Sequence, residues 1–119
     1  MCSPFPPAVR LPDSAAYNGV FTAPEPRISR DRYFTVLGRL IIAAPSARLG
    51  LIVAKKQVRR AHERNRLKRL IRESFRHRRA TLPPLDMVVL AYHSAQTASN
   101  EEIFRSLERH WRRLASPQP

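Results

Sequence analysis

The residues best suited to chemistry in this chain are cations, and they are crowded together. The stretch from Lys55 to Arg79, KKQVRRAHERNRLKRLIRESFRHRR, holds 12 of the 22 lysines and arginines and two acids, Glu63 and Glu73. Twelve cations less two acids leave a local excess of ten charges, which repels itself unless a polyanion supplies the counter-charge. Phosphate backbones are the commonest such polyanion, so a nucleic-acid partner is the first expectation. At about 100° per residue of helix, Asn65, Lys68, Arg69, Arg72, Arg76 and Arg79 share one arc, opposite Leu67, Leu70, Ile71 and Ser74. That is an amphipathic helix with a basic outer face. A merely solvated helix would intersperse Glu with Lys for i,i+4 pairs. Here acids are scarce and Arg dominates, which suits forked contacts to phosphate and stacking on bases.

Groups for catalysis are not assembled anywhere in the sequence. No two acids stand at a spacing that suggests general acid and base work, and Asp86 stands alone at a strand start, where it would cap or terminate that strand. His62, His77, His93 and His110 are scattered, and one cysteine, Cys2, leaves no zinc-ligand set. Three glycines cannot build a phosphate-cradling loop or a nucleophile elbow. The expectation is that the protein has no catalytic residue, no metal site and no cofactor of its own.

The elements that must position the basic helix follow from composition and punctuation. At 119 residues with a formal net charge of +13, the chain has room for one small core. Residues 1–12, rich in proline, are expected as a poorly ordered arm, residues 13–115 as a single RNA-binding domain and 116–119 as a tail. Asp13 or Ser14 caps a short helix running to Phe21, and Thr22 to Asp31 reads as a loop. Tyr33 to Ala43 and Arg48 to Ala54 read as strands joined at Pro45-Ser46 into an antiparallel hairpin. The basic helix starts near Arg60 to Glu63, and Leu82-Pro83-Pro84 ends it. Leu85 to Tyr92, a short apolar run, reads as a buried central strand, and Asn100 caps a last helix with Ile103, Phe104, Leu107, Trp111 and Leu114 as its apolar stripe. The result is an α+β two-layer sandwich, with helices packed on a small central sheet. No apolar run approaches the roughly 18 residues of a membrane span, and the N-terminus lacks a secretory pattern. The cytoplasm is the expected compartment.

The run LGLIVAKKQVRRAHERNRLKRLIRESFR, from Leu49 to Arg76, closely resembles the signature of the bacterial ribonuclease P protein subunit, with its Arg-Asn-Arg element at Arg64, Asn65 and Arg66. FPPAVRL, YNGVF, TVLGRL, LPPLDMVVLA and LERHWRRL fall in family order around it, so the likeness covers residues 5 to 114. It implies a mixed, ribosomal-protein-like sheet with a left-handed βαβ crossover. It also implies a small partner of a catalytic RNA that holds the magnesium and removes the 5′ leader of precursor tRNA. Lys55, Lys56, Arg59, Arg60, Arg64, Asn65, Arg66, Lys68, Arg69, Arg72 and Arg76 match positions that lie on RNA, and Tyr17 and Phe21 match aromatic positions of a leader-binding cleft. Aromatic faces stack on unpaired bases without demanding a sequence; the plainer role for both is helix-to-sheet packing. One departure stands out, since many members carry a basic pair where this chain has Tyr92-His93. Rival readings are a ribosomal-type RNA-binding protein without a role in processing, a DNA-binding regulator and a protein-only nuclease. No membrane or small-molecule substrate is implied.

Overall fold

The computed structural model describes residues 10–11, 14–23, 26–41 and 46–115. Three α-helices, α1 (Ser14–Phe21), α2 (Ala61–Arg78) and α3 (Asn100–Ala115), pack on a sheet of β1 (Arg27–Arg30), β2 (Phe34–Leu40), β3 (Arg48–Ile52) and β4 (Leu85–Ala91). The strand order is β1-β2-β4-β3, antiparallel except for the parallel pair of β3 and β4. This is the expected α+β sandwich on a mixed sheet. Most of the expected arm and all of the tail lie outside the described residues. Arg10 and Leu11, at the arm's end, are built into the fold: Arg10 bridges to Leu49, and Leu11 is buried.

Two expectations are corrected. Arg27–Arg30 is an edge strand rather than loop, its pairing to β2 closed by Asp31, whose Oδ1 accepts the amides of Tyr33 and Phe34 at 2.9 Å each. And β2 and β3 do not form a hairpin, because β4 lies between them. The reason is burial: every residue of β4 except Leu90 is buried, and a strand covered on both faces belongs in the middle of a sheet with partners on both edges.

Side chains alternate across the sheet. Phe34, Val36, Met87, Val89 and Ala91 face α2 and α3, meeting Leu67, Ile71, Phe75, Leu107, Trp111 and Leu114. Trp111 crosses Phe75 edge-on at 5.8 Å between centroids, and its Nε1 donates to Ser74 Oγ at 2.8 Å. On the other face a smaller cluster of Leu11, Val20 and Val88 seats α1. Asp86 is buried at the start of β4 but does not cap it. It receives a bidentate pair from Arg48, at 2.8 and 2.7 Å, across the parallel register. Ser99, not Asn100, caps α3: its Oγ accepts the Glu102 amide while Glu102 Oε1 accepts the Ser99 amide, a reciprocal capping box.

His110 is the one fully buried histidine among the described residues. Its Nδ1 lies 2.6 Å from Ser29 Oγ, and its Nε2 lies 3.2 Å from Asp31 Oδ2, which also accepts from Ser106 Oγ at 2.5 Å. Burial holds the imidazole below its ordinary value; Asp31 opposes this and the charges of Arg113 and Arg109 add to it. The unfolded chain therefore binds more protons just below the ordinary imidazole value of about 6.5, and stability falls as pH drops through that interval towards the lower folded value. Asp31 titrates further down: burial raises it, but hydrogen bonds from Ser106, Phe34 and Tyr33 hold it below the usual carboxylate range. Tm is expected to fall between about pH 7 and pH 5, and His110→Asn should flatten that fall. Thermal melts at both pH values check this, and an undiminished slope in the variant would place the dependence elsewhere.

Candidate nucleic-acid interface

The basic helix leaves β3 through a turn at Ala54, whose carbonyl accepts the amides of Gln57 and Val58. Lys55, Lys56, Arg59 and Arg60 on this link are all exposed. Arg60 caps α2 with its backbone, its carbonyl accepting the amides of Glu63 and Arg64, and no side chain caps the end. Beyond it the amphipathic period holds: Leu67, Leu70, Ile71, Ser74 and Phe75 are buried, while Asn65, Arg69 and Arg76 are exposed.

The cations of this region divide by whether the protein already satisfies them. Arg66 and Arg76 bond Glu63 and Glu73, and Arg78 bonds Glu108. Arg64 donates to the carbonyls of Val58 at 3.0 Å and Arg59 at 2.7 Å, so it braces the link. Lys55, Lys56, Arg59, Arg60, Lys68, Arg69 and Arg72 make no ion pair with an acid among the described residues. Arg79 donates to Ser46 Oγ at 2.9 Å, and the seven are the charges left to favour a polyanion.

Arg72 is partly buried, which lowers its pKa, and the nearby charge of Arg10 lowers it further. With Arg10, Leu11, Tyr17, Leu49, Leu51 and Lys68 it lines a cavity of about 150 Å³, so three cations and a phenol and no acid are among the described residues that line it. Tyr17 reaches this place because β3 carries Gly50: a Cβ there would stand 2.5 Å from the tyrosine ring. The ring lies against the strand, and the Leu51 amide donates to its hydroxyl at 3.3 Å. Phe21, one turn on, is 43% exposed instead. The two aromatics thus differ, one seated and one open. The basic face and the α1 cleft also adjoin, sharing Lys68, Arg72 and Tyr17.

On the sheet face beside α1 runs a cross-strand row of Arg30, Thr35, Leu90 and Ile52, in which Arg30 is exposed, Leu90 and Ile52 are half-buried and Thr35 is buried. Tyr92 closes one end of it, its hydroxyl 2.5 Å from Thr35 Oγ1. Sequence reasoning missed Arg10, Gly50 and the Thr35–Tyr92 pair as parts of this surface. Only Tyr92 had a signal, as a departure from the expected basic pair.

The family model for ribonuclease P matches residues 5–115 of this chain. The chain belongs to the ribonuclease P protein family. The ribonuclease P protein component of Cronobacter sakazakii is 47% identical over 109 residues, spanning 92% of this chain and 89% of its own length; that of Klebsiella pneumoniae is 45% identical over the same shares. Among solved structures, the ribonuclease P protein of Staphylococcus aureus superposes with a TM-score of 0.80 at 28% identity, covering 91% of this chain and 95% of that one. The Thermotoga maritima ribonuclease P protein gives 0.71 at 27% identity, with 84% and 92% covered. Like those relatives, this ribonuclease P family member is a three-helix, four-strand α+β protein. Among its described residues no group of three or more His, Cys, Asp or Glu is placed to hold a metal ion, and no helix is long and apolar enough to cross a membrane.

Proposed function

We propose that this chain is the protein subunit of ribonuclease P, the endoribonuclease that removes the 5′ leader from precursor tRNA. The catalytic RNA supplies the magnesium and the chemistry; the protein supplies two adjoining surfaces. The outward face of α2 and the preceding link lie on the catalytic RNA, with the unpaired cations from Lys55 to Arg72 meeting its phosphates. The sheet face beside α1 takes the single-stranded leader, with Phe21 and Tyr17 along one side as stacking platforms. The observation that carries this reading is the junction of the surfaces at Tyr17, Lys68 and Arg72, where an extended strand on the sheet would run into phosphate-binding charge.

Reconstitution tests it. The purified protein alone should cleave nothing, while adding it to a bacterial catalytic RNA should lower the magnesium needed to cleave precursor tRNA. Neutralising several phosphates with protein cations replaces divalent counter-ions, which is the physical ground for that shift. Magnesium-dependent cleavage by the protein without RNA would refute the division of labour. An unchanged magnesium requirement would favour a ribosomal-type RNA-binding protein with no part in processing.

A further inference from the structure

The Arg-Asn-Arg element splits by direction. Asn65 is exposed, whereas Arg66 turns inward with a side chain 20% accessible. Its Nη1 donates to Asn100 Oδ1 at 2.6 Å, its Nη2 to the carbonyls of Ala98 at 3.1 Å and Gln96 at 3.3 Å, and its Nε to Glu63 Oε1 at 3.2 Å. The acceptors outside α2 lie at least 30 residues away, on the segment between β4 and α3 and at Asn100, the first residue of α3. A second tie joins the link before α2 to the same segment, since the His93 amide donates to Gln57 Oε1 at 3.0 Å. That segment follows directly on Tyr92, which closes the cleft beside Thr35. Arg66 therefore spans from the helix that faces the catalytic RNA to the segment that follows the strand end bordering the leader.

We propose that Arg66 is a positioning residue rather than a phosphate contact: it fixes the offset between the RNA-facing helix and the leader cleft, so that a leader held in the cleft is presented in register with the catalytic RNA. The inference rests on the two-surface reading above. Only a guanidinium can do this, because its donors leave a rigid plane in several directions at once, while an ammonium is a point charge on a flexible stem. A fork satisfied by two backbone carbonyls, an amide and a carboxylate has little left to offer a phosphate.

Three variants in reconstituted holoenzyme test it. Arg66→Met keeps the packed stem and removes the fork, Arg66→Lys keeps the charge, and Asn100→Ala removes one acceptor and no charge. Each is measured for the salt dependence of binding to the catalytic RNA, for affinity towards precursor and mature tRNA, and for Tm. The salt slope should match the parent in all three. Preference for precursor over mature tRNA should fall about tenfold in both Arg66 variants, short of the roughly hundredfold that a 1 Å misplacement costs a reacting pair. Asn100→Ala should move it the same way by less. Lysine should not rescue. If Arg66→Met flattens the salt slope by about one unit and Arg66→Lys restores it, Arg66 meets phosphate and the proposal is wrong. It is equally wrong if both tRNAs lose affinity alike in step with a lowered Tm, the mark of a plain structural prop. A parent with no salt slope or no precursor preference would overturn the two-surface reading itself, and is seen before any variant is made.

Discussion

Raising monovalent salt from about 50 to about 200 mM should weaken binding of this protein to the catalytic RNA by about 250- to 1000-fold. If roughly six cations meet phosphates, log affinity falls against log salt with a slope of about −4 to −5, between the single-strand and duplex coefficients. The cations in question are Lys55, Lys56, Arg59, Arg60, Lys68, Arg69 and Arg72, which make no ion pair with an acid among the described residues. Arg69 is exposed on the outward arc of α2, so Arg69→Ala should flatten the slope by about one unit and leave stability within about 0.5 kcal/mol of the parent. Arg64→Ala should behave differently, since Arg64 already donates to Val58 and Arg59: it should loosen the link and cost stability with little change in slope. Binding isotherms at four salt concentrations measure all of this, and a slope near zero in the parent would mean that α2 is not the contact surface.

The second large effect separates stacking from packing in the α1 cleft. Phe21 is open to solvent, so Phe21→Ala removes a ring without opening a cavity. It should weaken precursor tRNA binding by up to about 1–3 kcal/mol, the range for one base on an aromatic face, with Tm and mature tRNA binding unchanged. Tyr17→Ala should lose leader affinity and stability together, because its ring lies against Gly50 and its hydroxyl accepts the Leu51 amide. Gly50→Ala approaches the same seat from the other side. Its methyl would meet the ring at 2.5 Å and Leu11 at 2.8 Å, so α1 must shift, at a cost of about 1–3 kcal/mol for overpacking. Titrating precursor and mature tRNA against each holoenzyme, with melts on the same preparations, reads out both quantities. An intact precursor preference in Phe21→Ala would remove the open ring from the leader site.

What could be read from the sequence was what local pattern dictates. The 3.6-residue period of Leu67, Leu70, Ile71 and Phe75 against the arginines is a property of α2 alone, and it survived folding. So did the apolar stripe of α3. β1 was illegible because Arg-Ile-Ser-Arg is short, charged at both ends and preceded by proline, and it is a strand only because β2 offers it an edge. The hairpin expectation failed by weighing adjacency in sequence above burial, although LDMVVLA already implied partners on both edges. The cap of α3 was legible and overlooked, since Ser99 and Glu102 stand at capping-box spacing. The inward turn of Arg64 and Arg66 was not legible at all. Both share a signature with outward Asn65, yet the acceptors of Arg64 lie on the link before α2, and those of Arg66 outside its own helix are set by where the chain returns after β4.

The placement of β4 also bears on how the protein is made. Synthesis runs from the N-terminus, so β1, β2, β3 and the whole of α2 are made before the strand that joins them. Until Leu85 to Ala91 emerges, β2 and β3 each present a bare edge, and the nascent chain holds a hairpin and a basic helix with no shared sheet. The central strand then has to insert between two waiting neighbours, a late and non-local step of the kind that slows folding and exposes edges to other chains. Premature termination before Leu85 thus yields two unconnected pieces rather than a smaller version of the fold.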